Sequence, residues 1–209
     1  ATPTAVLALG ATFSALEIVP LVLIGYEAYH NYSLSRSTPW IKAYKWPIYY
    51  FIAMCFWNFL GAGIFGFAIN PPIALYYIQG LNTTAVHGHA ALFGVYGILG
   101  IGLILFVLRG LYPDREWNDK LLGWSFWLIN IGLLVMLVGS LLPIGILQAV
   151  ESIQNGYWSA RSIEFMQTDK MQAIRWLSVQ GDSLLAIGEL LLVYFIIGLH
   201  TGWSLTGKR

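Results

Sequence analysis

Five stretches of this chain stay apolar for about 20 residues or more, and that pattern most limits what it can fold into. They run over 3–30, 47–70, 83–108, 121–150 and 183–203. About 20 apolar residues cross a bilayer core as a helix, and a helix satisfies its backbone hydrogen bonds within one segment. The expected fold is therefore all-α: a polytopic bundle of five transmembrane helices forming a single transmembrane domain over 1–209. Composition agrees. Charged residues make up 10% and hydrophobic residues 57%, with a mean hydropathy of +0.67, whereas soluble domains carry about 25% charge. The second and fourth runs hold no Asp, Glu, Lys, Arg or His. Pro143 is expected to kink or break the fourth. The more polar segment 151–182 reads as a helical extension plus a loop.

The loops set an orientation. Arg36, Lys42 and Lys45 lie between runs one and two; Arg109, Arg115 and Lys120 between three and four; Lys208 and Arg209 after the fifth. Strict alternation puts all of these on one side and only Arg161, Lys170 and Arg175 on the other. The positive-inside rule then makes the first side cytoplasmic, with the C-terminus there. Trp40, Trp46, Trp117, Trp124, Trp158, Trp176 and Trp203 fall near span ends, as interfacial anchors do.

The remaining composition excludes other classes. A net charge of +1 gives no footprint for nucleic acid. Cys55 is alone, which rules out a disulfide framework or thiolate cluster within the chain, and it reads as a small packing residue. No basic region precedes the first apolar run, so no cleavable signal is expected, and the chain is expected to start as a fragment would.

Ionisable groups inside apolar runs are costly and by default functional. His87 and His89 sit in TTAVHGHAALFGVYGILGIGLILFVL, about one turn inside the outer face. Positions i and i+2 of a helix point about 200° apart. These imidazoles cannot share one iron, but each can hold a different one, on opposite faces of one helix. The plainer reading is two interfacial histidines bonded to water or backbone carbonyls. Gly88, Gly94, Gly97, Gly100 and Gly102 leave room for a flat macrocycle or another helix, with helix packing the simpler reading for Gly100 and Gly102. His30 and His200 lie at the inner ends, about 30 Å away. A six-coordinate heme on this helix must find its second histidine elsewhere.

Glu17 lies 14 residues into the first run with no cation in its segment. A carboxyl there is either protonated or faces a polar cavity. A proton relay and a hydrogen-bonded structural role both stand, and Pro20 frees the Leu16 carbonyl one turn back. Asp182 opens the fifth run. It reads either as a helix N-cap or as an acceptor for a polar headgroup or proton at the outer surface. Glu189 lies two turns deeper on the same face and reads as pairing with a neighbouring helix. Glu27 is near the inner interface and can snorkel.

These motifs together resemble a family. YYIQGLNTTAVHGHAALFGVYG, preceded by FWNFLGAGIFGF, is similar to the histidine-bearing region of bacterial nitric oxide reductase large subunits, which belong to the heme-copper oxidase superfamily. GATFSALEIVPLVLIGYEAY resembles the glutamate-bearing helix of those subunits, and SFWLINIGLLVM the helix after the histidine pair. The resemblance covers almost the whole chain in order.

It implies the C-terminal part of a heme-copper oxidase-like subunit I fold with two b-type hemes. His87 would be the proximal ligand of the high-spin heme b iron, and His89 one axial ligand of the low-spin heme b iron. Glu17 would match the membrane-embedded glutamate that helps supply protons near a non-heme iron. The ligands of that iron, and the second axial ligand of the low-spin heme, would lie outside this chain. The implied partners are the remaining N-terminal part of the subunit, nitric oxide, a membrane quinol and the lipid bilayer. The implied reaction takes two nitric oxide molecules, two electrons and two protons to nitrous oxide and water. The branch most resembled is the single-subunit, quinol-fed one, with Asp182 near the quinol pocket. The implied location is the bacterial cytoplasmic (inner) membrane, hemes near the outer face. An oxygen-reducing terminal oxidase of the same superfamily and a heme-free transporter or anchor subunit remain as alternatives.

Overall fold

The computed structural model describes residues 3–35 and 40–202. Arg36, Trp203, Lys208 and Arg209 lie outside the described residues. Within them the chain is helical, with no strand. Five helices are long and apolar enough to cross a membrane: Thr4–Asn31, Lys45–Ile69, Asn82–Leu111, Asp119–Asn155 and Asp169–Thr201. They are called here the first to fifth spans.

Each span shows the physics of its sequence. The first is interrupted at Leu16 and Glu17, because Pro20 has no N–H for the Leu16 carbonyl. That carbonyl instead accepts from Val19 N at 3.1 Å, a tighter turn. The fourth is not broken at Pro143. It widens to a π turn over Leu137–Leu141 just before the proline and continues as α-helix to Asn155. The looser turn accommodates the missing donor. The second and third spans widen likewise over Asn58–Phe65 and His89–Gly97.

Glycines bring backbones into contact, as in membrane helix pairs. A Cβ on Gly61 would sit 2.6 Å from the carbonyl carbon of Ala90, and one on Gly94 2.8 Å from Trp57 Cβ, which joins the second and third spans. A Cβ on Gly132 would meet Leu185 N at 2.5 Å, and one on Gly181 Met136 N at 2.5 Å, which joins the fourth and fifth. Trp57, Tyr50, Ile98, Leu122, Leu133 and Phe195 fill the core between these four spans. Polar side chains tie it further. Trp57 Nε1 donates to Asn130 Oδ1 at 2.8 Å. Ser125 Oγ donates to the Gly188 carbonyl at 2.8 Å, which leaves the Tyr50 hydroxyl as donor to Ser125 at 3.4 Å.

The loops meet as alternation requires. At one end Lys45 pairs with Asp119 at 3.2 Å, and Arg115 donates to the Leu199 carbonyl. At the other, Tyr157 donates to the Gln79 carbonyl at 2.6 Å and Ser152 to the Tyr77 carbonyl at 2.6 Å. The tryptophans divide. Trp40, Trp124, Trp158 and Trp176 are exposed, but Trp46 is buried, its indole N–H held by Asp119 Oδ1 at 2.6 Å. Cys55 faces outward from the second span and is not a packing residue.

Candidate functional site

The third span begins as an α-helix over Asn82–Gly88 and passes into the π segment at His89. Its first turn is fixed from outside. Gln148, almost wholly buried in the fourth span, accepts from Asn82 N through Oε1 at 2.9 Å and donates through Nε2 to the Ala160 carbonyl at 3.0 Å. This meets one of the donors that every helix start leaves unpaired. Gly145 lets the fourth span press on the same turn, since a Cβ there would lie 2.6 Å from Thr83 N.

Both histidines are oriented by main-chain carbonyls. His87 Nδ1 lies 2.8 Å from the Gly61 carbonyl of the second span. His89 Nδ1 lies 2.8 Å from the Ala85 carbonyl, one turn back on its own helix. A carbonyl only accepts, so Nδ1 is the protonated nitrogen in both neutral rings and Nε2 keeps its lone pair. This is how a metal-ligating histidine is ordinarily set by its second nitrogen. The π segment of the second span takes part. The Gly61 carbonyl also accepts from Gly66 N, five residues on, and a Cβ on Gly66 would lie 3.3 Å from His87 Cε1. Gly66 therefore gives the ring its seat.

The surroundings of the pair differ. His87 is half-buried against the second span, and His89 is exposed. A Cβ on Gly88 would meet nothing within 4 Å, so the residue between them is open. Gly94 and Gly102 serve helix packing, against Trp57 and Phe51, and Gly97 faces Phe93 of its own helix. Gly100, expected to pack, is open as well. Among the described residues no group of three or more His, Cys, Asp or Glu could hold a bare metal ion. Two separate imidazoles, each offering one nitrogen, suit a group that brings its own in-plane ligands, and heme is such a group. The residues present fit that cofactor.

The other candidates stand apart. Glu17 is exposed at the break in the first span, and its carboxyl makes no hydrogen bond or ion pair with the described residues. Its neighbour Ile18 reaches the second span, 3.7 Å from a Cβ placed on Gly63. Asp182 is exposed and lies inside the helix Ser178–Thr201, whose N-cap position is Leu177. The N-cap reading of Asp182 is thereby corrected. The helix starts earlier because 169–180 is itself helical apart from Leu177. Glu189 is half-buried beside Gly188 and has no hydrogen-bonding partner on a neighbouring helix among the described residues. His200 is bonded to the Tyr112 hydroxyl at 3.0 Å, at the basic end of the bundle and away from the pair.

Sequence reasoning missed Gln148, Gly61 and Gly66. A glutamine deep in an apolar run was a readable signal for the first. The other two act through a backbone carbonyl and an absent side chain, which no residue type announces.

A nitric oxide reductase subunit from Stutzerimonas stutzeri is 30% identical over 199 residues, covering 92% of this chain. The chain spans 40% of that protein's length. Residues 1–184 match the family described as cytochrome c and quinol oxidase polypeptide I, and the chain belongs to that family of membrane oxidoreductases.

Proposed function

We propose that this chain is the heme-bearing part of a nitric oxide reductase that takes two nitric oxide molecules, two electrons and two protons to nitrous oxide and water, with a membrane quinol as donor. The observation that carries the reading is the pair of imidazoles on one helix, each with Nδ1 tied to a carbonyl and Nε2 left for an axial bond. His87 is assigned to the high-spin heme b and His89 to the low-spin heme b. When bound, the hemes, together with a non-heme iron held by residues outside this chain, supply electron transfer and the metal centre at which the two nitric oxides meet.

The chain's own residues have distinct tasks. Gly61 and Gly66 hold the His87 ring on the second span, and the Ala85 carbonyl holds the His89 ring. Gln148 fixes the start of the helix that bears both. Glu17 delivers protons, and it needs a polar path because protons, unlike nitric oxide, do not cross apolar lipid. Asp182 lies at the quinol pocket. The remaining part of the subunit covers the exposed face of the first span, where Phe13, Val19 and Leu23 point outward. The basic loops face the cytoplasm and the hemes lie near the outer face of the inner membrane.

The test is donor-resolved turnover of the complete enzyme. Nitrous oxide formed from nitric oxide with a quinol, and little with reduced cytochrome c, is the expected result. Oxygen consumption without nitric oxide consumption would move the protein to the oxidase alternative. Asp182→Ala is expected to lower quinol-driven turnover more than turnover with a small artificial donor.

A further inference from the structure

The basic end of the bundle holds a second site that the heme-bearing region does not explain. A pocket of about 310 Å³ opens where the second, third and fourth spans end, lined by Lys42, Lys45, Arg109, Glu116, Trp117 and Asp119 among others. Its cations are not all neutralised. Lys45 is paired with Asp119 at 3.2 Å, and Asp119 also accepts from Trp46 Nε1. Neither Lys42 nor Arg109 has a carboxylate partner among the described residues. Arg109 donates through one nitrogen to the Arg115 carbonyl at 3.0 Å and lies over the Trp117 ring at 5.4 Å, so its remaining donors are uncommitted. The Trp117 indole N–H is shut off from solvent and has no acceptor. Glu116 is the one opposing carboxylate of the pocket lining without a cation among the described residues.

An apolar strip runs beside the pocket. Tyr44 packs on Phe106 at 4.8 Å and on Trp40 at 6.0 Å. Phe106 and Trp40 are themselves exposed on the outside of the bundle. Two unpaired cations and an adjoining lipid-facing aromatic strip match a molecule with an anionic head and apolar tails. Basic pockets between membrane helices are known to take such heads. We propose that this pocket seats the phosphate of an anionic phospholipid between Lys42 and Arg109, with its acyl chains along Trp40, Tyr44 and Phe106. A free phosphate would satisfy the cations but not use the strip.

Native mass spectrometry of the delipidated complete enzyme tests this, with phosphatidylglycerol, phosphatidylcholine or inorganic phosphate as the probe. A saturable phosphatidylglycerol adduct is expected, with phosphatidylcholine weaker and millimolar phosphate unable to displace it. Lys42→Gln should weaken phosphatidylglycerol about fivefold, and Lys42→Gln with Arg109→Gln about 25-fold, as expected per cation near a membrane surface. Glu116→Gln should tighten it. Lys42 and Glu116 are exposed and bonded to no described side chain, so both single variants leave packing alone. Unchanged phosphatidylglycerol binding in Lys42→Gln and Glu116→Gln overturns the proposal. Full displacement by inorganic phosphate overturns it too, because the site would then take a free anion.

Discussion

The first span and the four that follow are built on the same apolar composition but to different ends. In the second to fifth spans, glycines press backbone on backbone, and among the described residues of these spans no buried side-chain nitrogen or oxygen lacks a hydrogen-bond partner. In the first, only 11% of its most apolar window is buried, the helix is interrupted at Leu16 and Glu17, and Gly10 and Gly25 have no neighbour within 4 Å of a Cβ. The histidines belong to the tight region and Glu17 to the loose one. The difference has a plain physical cause: the four later spans pack on one another, whereas the first offers its outer face to the rest of the subunit in the proposed enzyme.

Glycine substitutions give the largest contrast. Gly61→Val forces side-chain atoms into the Ala90 backbone and should destabilise by about 3 kcal/mol, the upper end for overpacking. Gly100→Val, in the third span where a Cβ meets nothing within 4 Å, should change stability by no more than about 0.5 kcal/mol. Thermal melting of both in detergent checks the pair, and equal shifts would erase the distinction.

Gln148→Leu comes next. It orphans the Asn82 N–H and the Ala160 carbonyl in a buried place and should destabilise by about 2 kcal/mol. Because Asn82 opens the histidine helix, the low-spin heme absorption should shift as well. A melting change with no spectral change would make Gln148 structural only.

Glu17→Ala should lower nitric oxide turnover by roughly tenfold, about 1.4 kcal/mol in barrier, with both hemes retained and the melting temperature unchanged. Loss of heme instead would place Glu17 in the frame. Asp182→Asn is the smallest, lowering quinol-driven turnover by about fivefold or less, in line with one lost hydrogen bond. Steady-state rates with quinol and with a small artificial donor separate this from a general loss.

Much of the frame was readable in the residues, for identifiable reasons. Hydropathy marks a membrane helix directly, and the spacing of His87 and His89 places them on opposite faces whatever surrounds them. Pro20 announced the freed Leu16 carbonyl. Pro143 was expected to kink or break the fourth span; the break does not occur, because a π turn just before it absorbs the missing donor and depends on packing that a single segment does not encode. Only the N-cap reading of Asp182 failed, since Gly181 before it looks like a helix boundary but serves the contact with Met136. The carbonyl of Gly61 was invisible, because every residue has one and only the tertiary fold chooses which meets His87.

The most direct test is the optical and EPR spectrum of the complete enzyme carrying His87→Ala or His89→Ala. His89→Ala should remove the low-spin heme b signal and leave the high-spin one, and His87→Ala should do the reverse. If either variant keeps both signals, or if both lose the same one, the helix is not shared between two hemes as proposed.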